Sequence, residues 1–277
     1  MKYIEVDFQV QPPEIGKDIL IALLSAMNYE SFMETDTGIL AYIPISLFDR
    51  EKLEHLPLPA DAAFTFTYDI TEIEDQNWNA VWESNYAPVL IENQCYIRAP
   101  FHESRKDVMY EIEIEPKMSF GTAHHETTEL MIRYLLTENC EHKQVLDMGT
   151  GTGVLAILAS MRGANSVVAI DNDEWAYSNC MENIERNRIS NIHCLLGDAK
   201  NIPHQTFDLI IANINRNILM RDMEIYSKHI NPNGIILLSG FYETEDLHHI
   251  KNKASQLKLH YHSHKEKNKW VAAKFYL

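Results

Sequence analysis

The chain has 277 residues, 45% of them hydrophobic, with a formal net charge of −16 and a pI near 5.2. That length suits one large domain plus a small one. So acidic a surface repels a phosphate backbone, which argues against duplex DNA or ribosomal RNA as a main partner and favours a basic protein.

The four cysteines, Cys95, Cys140, Cys180 and Cys194, form no Cys-x-x-Cys pair and suggest no disulfide framework. The opening "MKYIEVDFQV" lacks a signal-peptide core. Apolar runs such as "LIIANI" and "GIILLSG" are too short to span a bilayer. A soluble, cytoplasmic monomer is expected.

Residues 1–72 read as a small α/β domain. "KYIEVDFQV" alternates like a strand. Pro12 and Pro13 open a helix with an apolar stripe at Ile15, Ile19, Leu23 and Ala26. "YESFMET" and "GILAYIPI" are strands around a turn at Asp36-Thr37-Gly38. A short helix, "SLFDREKLEHL", capped by Ser46, and a last strand, "AAFTFTYDITEIE", complete a βαββαβ, ferredoxin-like order. Residues 73–92 follow as a linker helix, with Trp78 and Trp82 on one face.

Residues 93–277 open with two strand-like stretches, "QCYIRAP" and "DVMYEIEIEP", and then alternate regularly between helix and strand. Short βα connections imply a doubly wound, mostly parallel sheet, here of seven strands. The last two strands are separated only by a tight turn at Lys267-Asn268 and must be antiparallel. A parallel sheet ending in such a hairpin is the methyltransferase form of the architecture.

"VLDMGTGTGVLA" carries the strongest chemical signal. A buried strand reaches Asp147 and then Gly149, Gly151 and Gly153 before a helix begins. Val154 stands where a dinucleotide fingerprint requires its third glycine. An acidic residue followed by glycines at alternate positions suits S-adenosylmethionine (SAM), which has an ammonium for Asp147 to meet and no pyrophosphate to cradle. Asp171 ends the second strand about 20 residues past the glycines, where a carboxylate accepts ribose hydroxyls. Asp173 is the better helix cap. Asp198, after the third strand, is placed either to meet the adenine amino group or to serve its own turn. Asn213 closes the fourth strand, where its carboxamide oxygen can hold an incoming amine or, again, serve a turn.

"SFGTAHHETTEL" falls one residue short of the zinc signature His-Glu-x-x-His, with Glu129 at the second histidine position. No metal is expected there. Glu126 and Glu129 read as first-turn acids favoured by the helix dipole. Strand alternation is expected to put His260, His262 and His264 on one exposed face.

From "DQNWNAVW" onward the chain resembles the bacterial ribosomal protein L-eleven methyltransferases. The motifs "FGTAHHETT", "LDMGTGTGVLAI", "AIDNDEWA" and "IIANI" carry the resemblance. It implies that Thr128, Gly149, Asp171 and Asn213 line the SAM site. It implies as substrate a stalk-base ribosomal protein of the large subunit, methylated on lysine side chains and on its N-terminal amine, and recognised by the small domain. Ala123 replaces the family's second glycine and Glu126 a common proline, so a slightly different loop shape is expected. The rival readings are a methyltransferase for another protein, a nucleic-acid amine or a small molecule, and a non-catalytic SAM-binding assembly factor. Asn213-Ile214-Asn215 lacks the Asn-Pro-Pro-aromatic motif of amide and base-amine enzymes, which weighs against nucleic acid. The intact Asp147, Gly149, Asp171 and Asn213 weigh against loss of activity.

Overall fold

The computed structural model describes residues 2–59, 63–73, 86–117 and 119–277. Backbone contacts divide the chain into two units, Met1–Tyr86 and Ala87–Leu277.

In the first unit, strands β1 (Tyr3–Gln11), β2 (Ser31–Glu34), β3 (Gly38–Pro44) and β4 (Thr65–Ile73) form a sheet in the order β2-β3-β1-β4. Every neighbouring pair is antiparallel, which is the ferredoxin-like arrangement. Helices α1 (Pro13–Ser25) and α2 (Arg50–Glu54) cross between strands. Two local readings are corrected. The buried stripe of α1 is Gly16, Leu20 and Leu24, while Ile19 and Leu23 are half-buried and Ala26 is exposed. Gly16 sets that register, because any Cβ there would run into Val10 and Phe64. Counting apolar side chains passes over a residue that packs by having none. The cap of α2 is Asp49, not Ser46. Its carboxylate accepts from the amides of Glu51 (3.1 Å) and Lys52 (3.2 Å).

Trp78 and Trp82 lie outside the described residues. At the far end of the stretch read as a linker helix, Val89–Ile91 is instead a strand, β5. It pairs antiparallel with β6 (Cys95–Arg98), which lies parallel to β7 (Tyr110–Glu113). Arg98 joins the pair by bridging to Glu111 and Glu113, each at 2.7 Å.

The second unit is built on seven strands: β8 (Gln144–Met148), β9 (Ser166–Asp171), β10 (Ile192–Leu196), β11 (Phe207–Asn213), β12 (Ile230–Tyr242), β13 (His260–Lys267) and β14 (Trp270–Tyr276). Their order is β10-β9-β8-β11-β12-β14-β13, parallel except for β14, which is antiparallel to both neighbours. Side chains alternate across the sheet and define two cores. Val145, Val167 and Leu209 face α3 (Glu126–Thr137), α4 (Val154–Met161) and α5 (Glu174–Arg186). Leu146, Val168 and Ile210 face α6 (Arg216–His229) and α7 (Glu243–Gln256). The chain fills β8, β9 and β10 outward and then returns to place β11 on the other side of β8. A crevice therefore opens beyond the carboxyl ends of β8 and β11.

The β13–β14 turn consists of Asn268 (φ 50°) and Lys269 (φ 70°), one residue later than Lys267-Asn268, and both take the left-handed conformations of a tight hairpin. The register of β13 slips between Tyr261 and Ser263, so alternation breaks at His262. His264 consequently bonds Tyr261 (Nδ1 to Oη, 2.6 Å), while His262 packs on Tyr276, and the three histidines do not share one face. Among the described residues no helix is long and apolar enough to cross a membrane.

Candidate functional site

The crevice holds a cavity of about 990 Å³, within the range of small-molecule sites. Gly149, Gly151, Asp171 and Asn213 line it. The glycine loop turns sharply, with φ of 67°, 56° and 82° at Gly149, Gly151 and Gly153. It is braced from two sides. The amides of Gly149 (2.8 Å) and Thr150 (3.1 Å) donate to Ile170 O at the end of β9. Gly151 N donates to Asp171 Oδ2 at 2.9 Å. A Cβ on Gly149 would strike the side chain of Ile214, which follows β11, so glycine lets the loops on either side of the crevice meet.

Asn213 is only 9% exposed. Its Nδ2 donates to Thr128 Oγ1 at 3.4 Å, and its Oδ1 has no hydrogen-bond partner. A buried acceptor left unpaired is costly in a folded protein. The residue lines the cavity, but Oδ1 itself is shut off from solvent, so a bound donor reaches it only if the carboxamide turns. Thr128 is itself fully buried and serves as Asn213's anchor.

Four sequence-selected residues do not line the cavity: Thr128, which is fully buried and meets it only through Asn213, and Asp147, Gly153 and Asp198. Asp147 is buried under the loop, 1% exposed, and does not line the cavity as an ammonium partner would. Thr150 Oγ1 donates to its Oδ2 at 2.7 Å, and Oδ1 is unpaired. Burial pushes the Asp147 carboxyl up to about 7, against the opposing Thr150 bond. Gly153 caps α4, and a Cβ there would come within 2.7 Å of Cys180 Sγ. Asp198 caps the 3-10 turn Ala199–Asn201, accepting from Lys200 N at 2.9 Å, and does not line the cavity. Asp173 caps α5 through Trp175 N (2.7 Å) and Ala176 N (3.1 Å), and it also reaches the cavity rim.

The segment before α3 closes against the glycine loop. Thr152 donates through N to Phe120 O (2.9 Å) and through Oγ1 to Gly121 O (2.7 Å). Ala123 adopts φ 66°. The alanine thus takes a left-handed conformation, at a cost of about 1–2 kcal/mol that its buried methyl partly offsets. His125 caps α3, its Nδ1 accepting from Thr127 N at 3.2 Å. Glu126 accepts from Asn268 (2.9 Å), and Glu129 pairs with Lys267 (2.5 Å) and Arg133 (2.8 Å), tying the start of α3 to the β13–β14 turn. Among the described residues no cluster of His, Cys, Asp and Glu could hold a metal ion.

Sequence reasoning missed the aromatic wall. The His125 ring lies 5.1 Å from Phe120 and 4.8 Å from Trp270, and Trp270 stacks on Tyr242 at 4.1 Å. Phe120, His125 and Trp270 all line the cavity. The antiparallel register Tyr242↔Trp270 carries the tryptophan there from the end of the chain. Nothing near Trp270 in the sequence signals it.

Comparison with known proteins adds a family. Residues 14–276 match the family model described as "Ribosomal protein L11 methyltransferase (PrmA)". The chain is 47% identical to the ribosomal protein L11 methyltransferase of Phocaeicola vulgatus, covering 99% of each chain. It is 44% identical to that of Bacteroides thetaiotaomicron over the same shares. Among solved structures, the ribosomal protein L11 methylase of Lactobacillus delbrueckii subsp. bulgaricus superposes with a TM-score of 0.64 at 25% identity. That match covers 69% of this chain and 98% of that one.

Proposed function

The chain belongs to the ribosomal protein L11 methyltransferase family, and from that premise we propose that it methylates lysine side chains and the N-terminal amine of ribosomal protein L11. The cofactor is S-adenosylmethionine. The residues fit it: a glycine loop whose backbone a ligand can approach and the Asp171 carboxylate at the end of β9. Gly149 and Gly151 would hold the donor's amino-acid part, and Asp171, which already holds the loop through Gly151 N, would accept from its ribose. When bound, the donor supplies an electrophilic methyl group on a sulfonium.

The chain's own task is to present a neutral amine. The observation that carries this reading is Asn213 in the cavity wall, with a carboxamide oxygen that no protein group holds. Turned toward the cavity, that oxygen accepts an N–H of the incoming amine and orients the nitrogen lone pair. Thr128 anchors the carboxamide nitrogen through a long 3.4 Å bond, which leaves room for the turn. Phe120, Trp270, Ile214 and Ile218 give the cavity an apolar wall, which favours the uncharged amine over the ammonium. Water takes the amine's proton before entry.

The small unit holds the body of the substrate. Asp7 and Asp69 stand directly across from each other in the β1–β4 pair. They lie on the sheet face opposite the core formed by Val6, Phe8, Leu20 and Leu24. Like charges in register repel, and a basic partner relieves them. With the net charge of −16, this supports a basic protein as substrate over RNA. The enzyme works in the cytoplasm as a monomer.

Asn213→Ala tests the central contact. Methyl transfer to L11 should fall by about 10²–10³, the scale of losing one preorganised polar contact. SAM affinity by calorimetry should change less than about threefold. Unchanged transfer would remove Asn213 from the mechanism.

A further inference from the structure

Beneath the glycine loop two thiols meet. Cys180 on α5 and Cys194 on β10 are both free, with their sulfurs 3.4 Å apart. The sulfurs of a disulfide are about 2.05 Å apart, so bonding requires a closure of only about 1.4 Å. Cys180 is fully buried, and Cys194 is partly exposed. We propose that Cys180 and Cys194 are a modification site for peroxides, forming a reversible disulfide that weakens SAM binding through the floor of the glycine loop.

The two thiols have different roles. Cys194 is the one solvent reaches, and the Cys180 thiol donating to it holds its thiol below the usual range. Its thiolate attacks one peroxide oxygen and the O–O bond breaks. This leaves a sulfenic acid on Cys194 and a hydroxide that takes up a proton to become water. Cys180 sulfur then attacks the sulfenyl sulfur. The S–S bond forms, the S–O bond breaks, and the departing hydroxide takes the Cys180 proton to give a second water. The thiols lose two electrons and the peroxide gains them. Cys95 and Cys140 contrast with this pair. Both are buried in the core, and burial pushes the Cys95 thiol up to about 12 and raises Cys140 as well.

Coupling to the cavity follows from what Cys180 touches. Gly153 turns directly over its sulfur, close enough that a Cβ there would come within 2.7 Å. Thr150 Oγ1 lies 3.9 Å from the same sulfur while donating to Asp147 at 2.7 Å. Asp147, Thr150 and Cys180 therefore pack as one floor below Gly149 and Gly151, the two glycines that line the cavity. Drawing Cys180 Sγ toward Cys194 withdraws the contact under Gly153. The loop loses the packing that fixes its left-handed turns.

The test treats the full-length protein with excess hydrogen peroxide, quenches with an alkylating agent and maps the peptides. A Cys180–Cys194 cross-link is expected, with SAM affinity by calorimetry about tenfold weaker and restored by dithiothreitol. Cys194→Ser should keep its SAM affinity under peroxide. Cys180→Ser should instead leave a sulfenic acid on Cys194, trapped by dimedone. Two thiols still open to alkylation after peroxide would overturn the site. A mapped disulfide with unchanged SAM affinity would overturn the coupling, as would Cys194→Ser losing affinity like the parent. If Cys194→Ser does not fold, the wild-type mapping and Cys180→Ser decide. The mapping and the SAM titration require no protein substrate, so they stand apart from the assignment of L11.

Discussion

Single residues divide the site into a surface that lines the cavity and a floor that supports it. Asp147 belongs to the floor, and its chemistry shows in stability. Its carboxyl titrates near 7 in the folded chain against 3.8 for an ordinary aspartate. The folded state therefore keeps a proton that the unfolded state has lost. Stability from this group is full below about pH 4 and is lost as pH rises toward 7. Asp147→Asn keeps an oxygen for Thr150 and removes the titration. Denaturant unfolding of the variant should lack the wild-type decline between pH 4 and 7, and an identical pH dependence would contradict the burial argument. Asp171 belongs to the surface. Asp171→Ala removes a charged acceptor together with the brace on Gly151 N, and SAM affinity should fall about a hundredfold. Asp173→Ala should cost about 1 kcal/mol of stability as a lost helix cap, with SAM affinity within a few-fold. A reversal of the two outcomes would move the ribose contact to Asp173. The cavity-lining places of Gly149, Gly151, Asp171 and Asn213 were legible in the sequence because each ends or follows a strand, and strand ends define the crevice. The position of Asp147 was not, since an aspartate next to a glycine loop reads the same whether it faces the ligand or lies beneath it.

At the scale of elements, the pattern that served best was strand alternation with short connections, which yielded the sheet class and the closing hairpin. It failed where a local device interrupts the period. Gly16 moved the buried stripe of α1 by one residue, and the slip at His262 separated His264 from the other two histidines. The hairpin itself can be tested. Lys269 holds φ 70° with a side chain that disfavours it, and Trp270 follows immediately at the cavity wall. Lys269→Gly creates the Asn-Gly pair preferred in such turns and should stabilise the unit by several tenths to about 1 kcal/mol. The denaturation midpoint should rise with an unchanged m-value. A lower midpoint would mean that the Lys269 side chain supplies a contact that outweighs the strain.

At the scale of the whole molecule, two tasks are proposed for two units. The second unit carries every residue assigned to SAM and to methyl transfer, and the first is assigned the body of the substrate. Removing residues 1–86 should therefore leave SAM binding intact and abolish methylation of whole L11. Loss of SAM binding on truncation would show that the tasks are not separable. The family comparison spans both units, since residues 14–276 match one family model. The central claim, methyl transfer to amines of one ribosomal protein, is tested most directly by incubating the full chain with tritiated SAM and a total ribosome extract, then separating protein from RNA. The account predicts label in a single basic protein, identified by mass spectrometry as L11 with added methyl groups on lysines and on its N-terminal amine. Label in RNA, or in proteins other than L11, would contradict it.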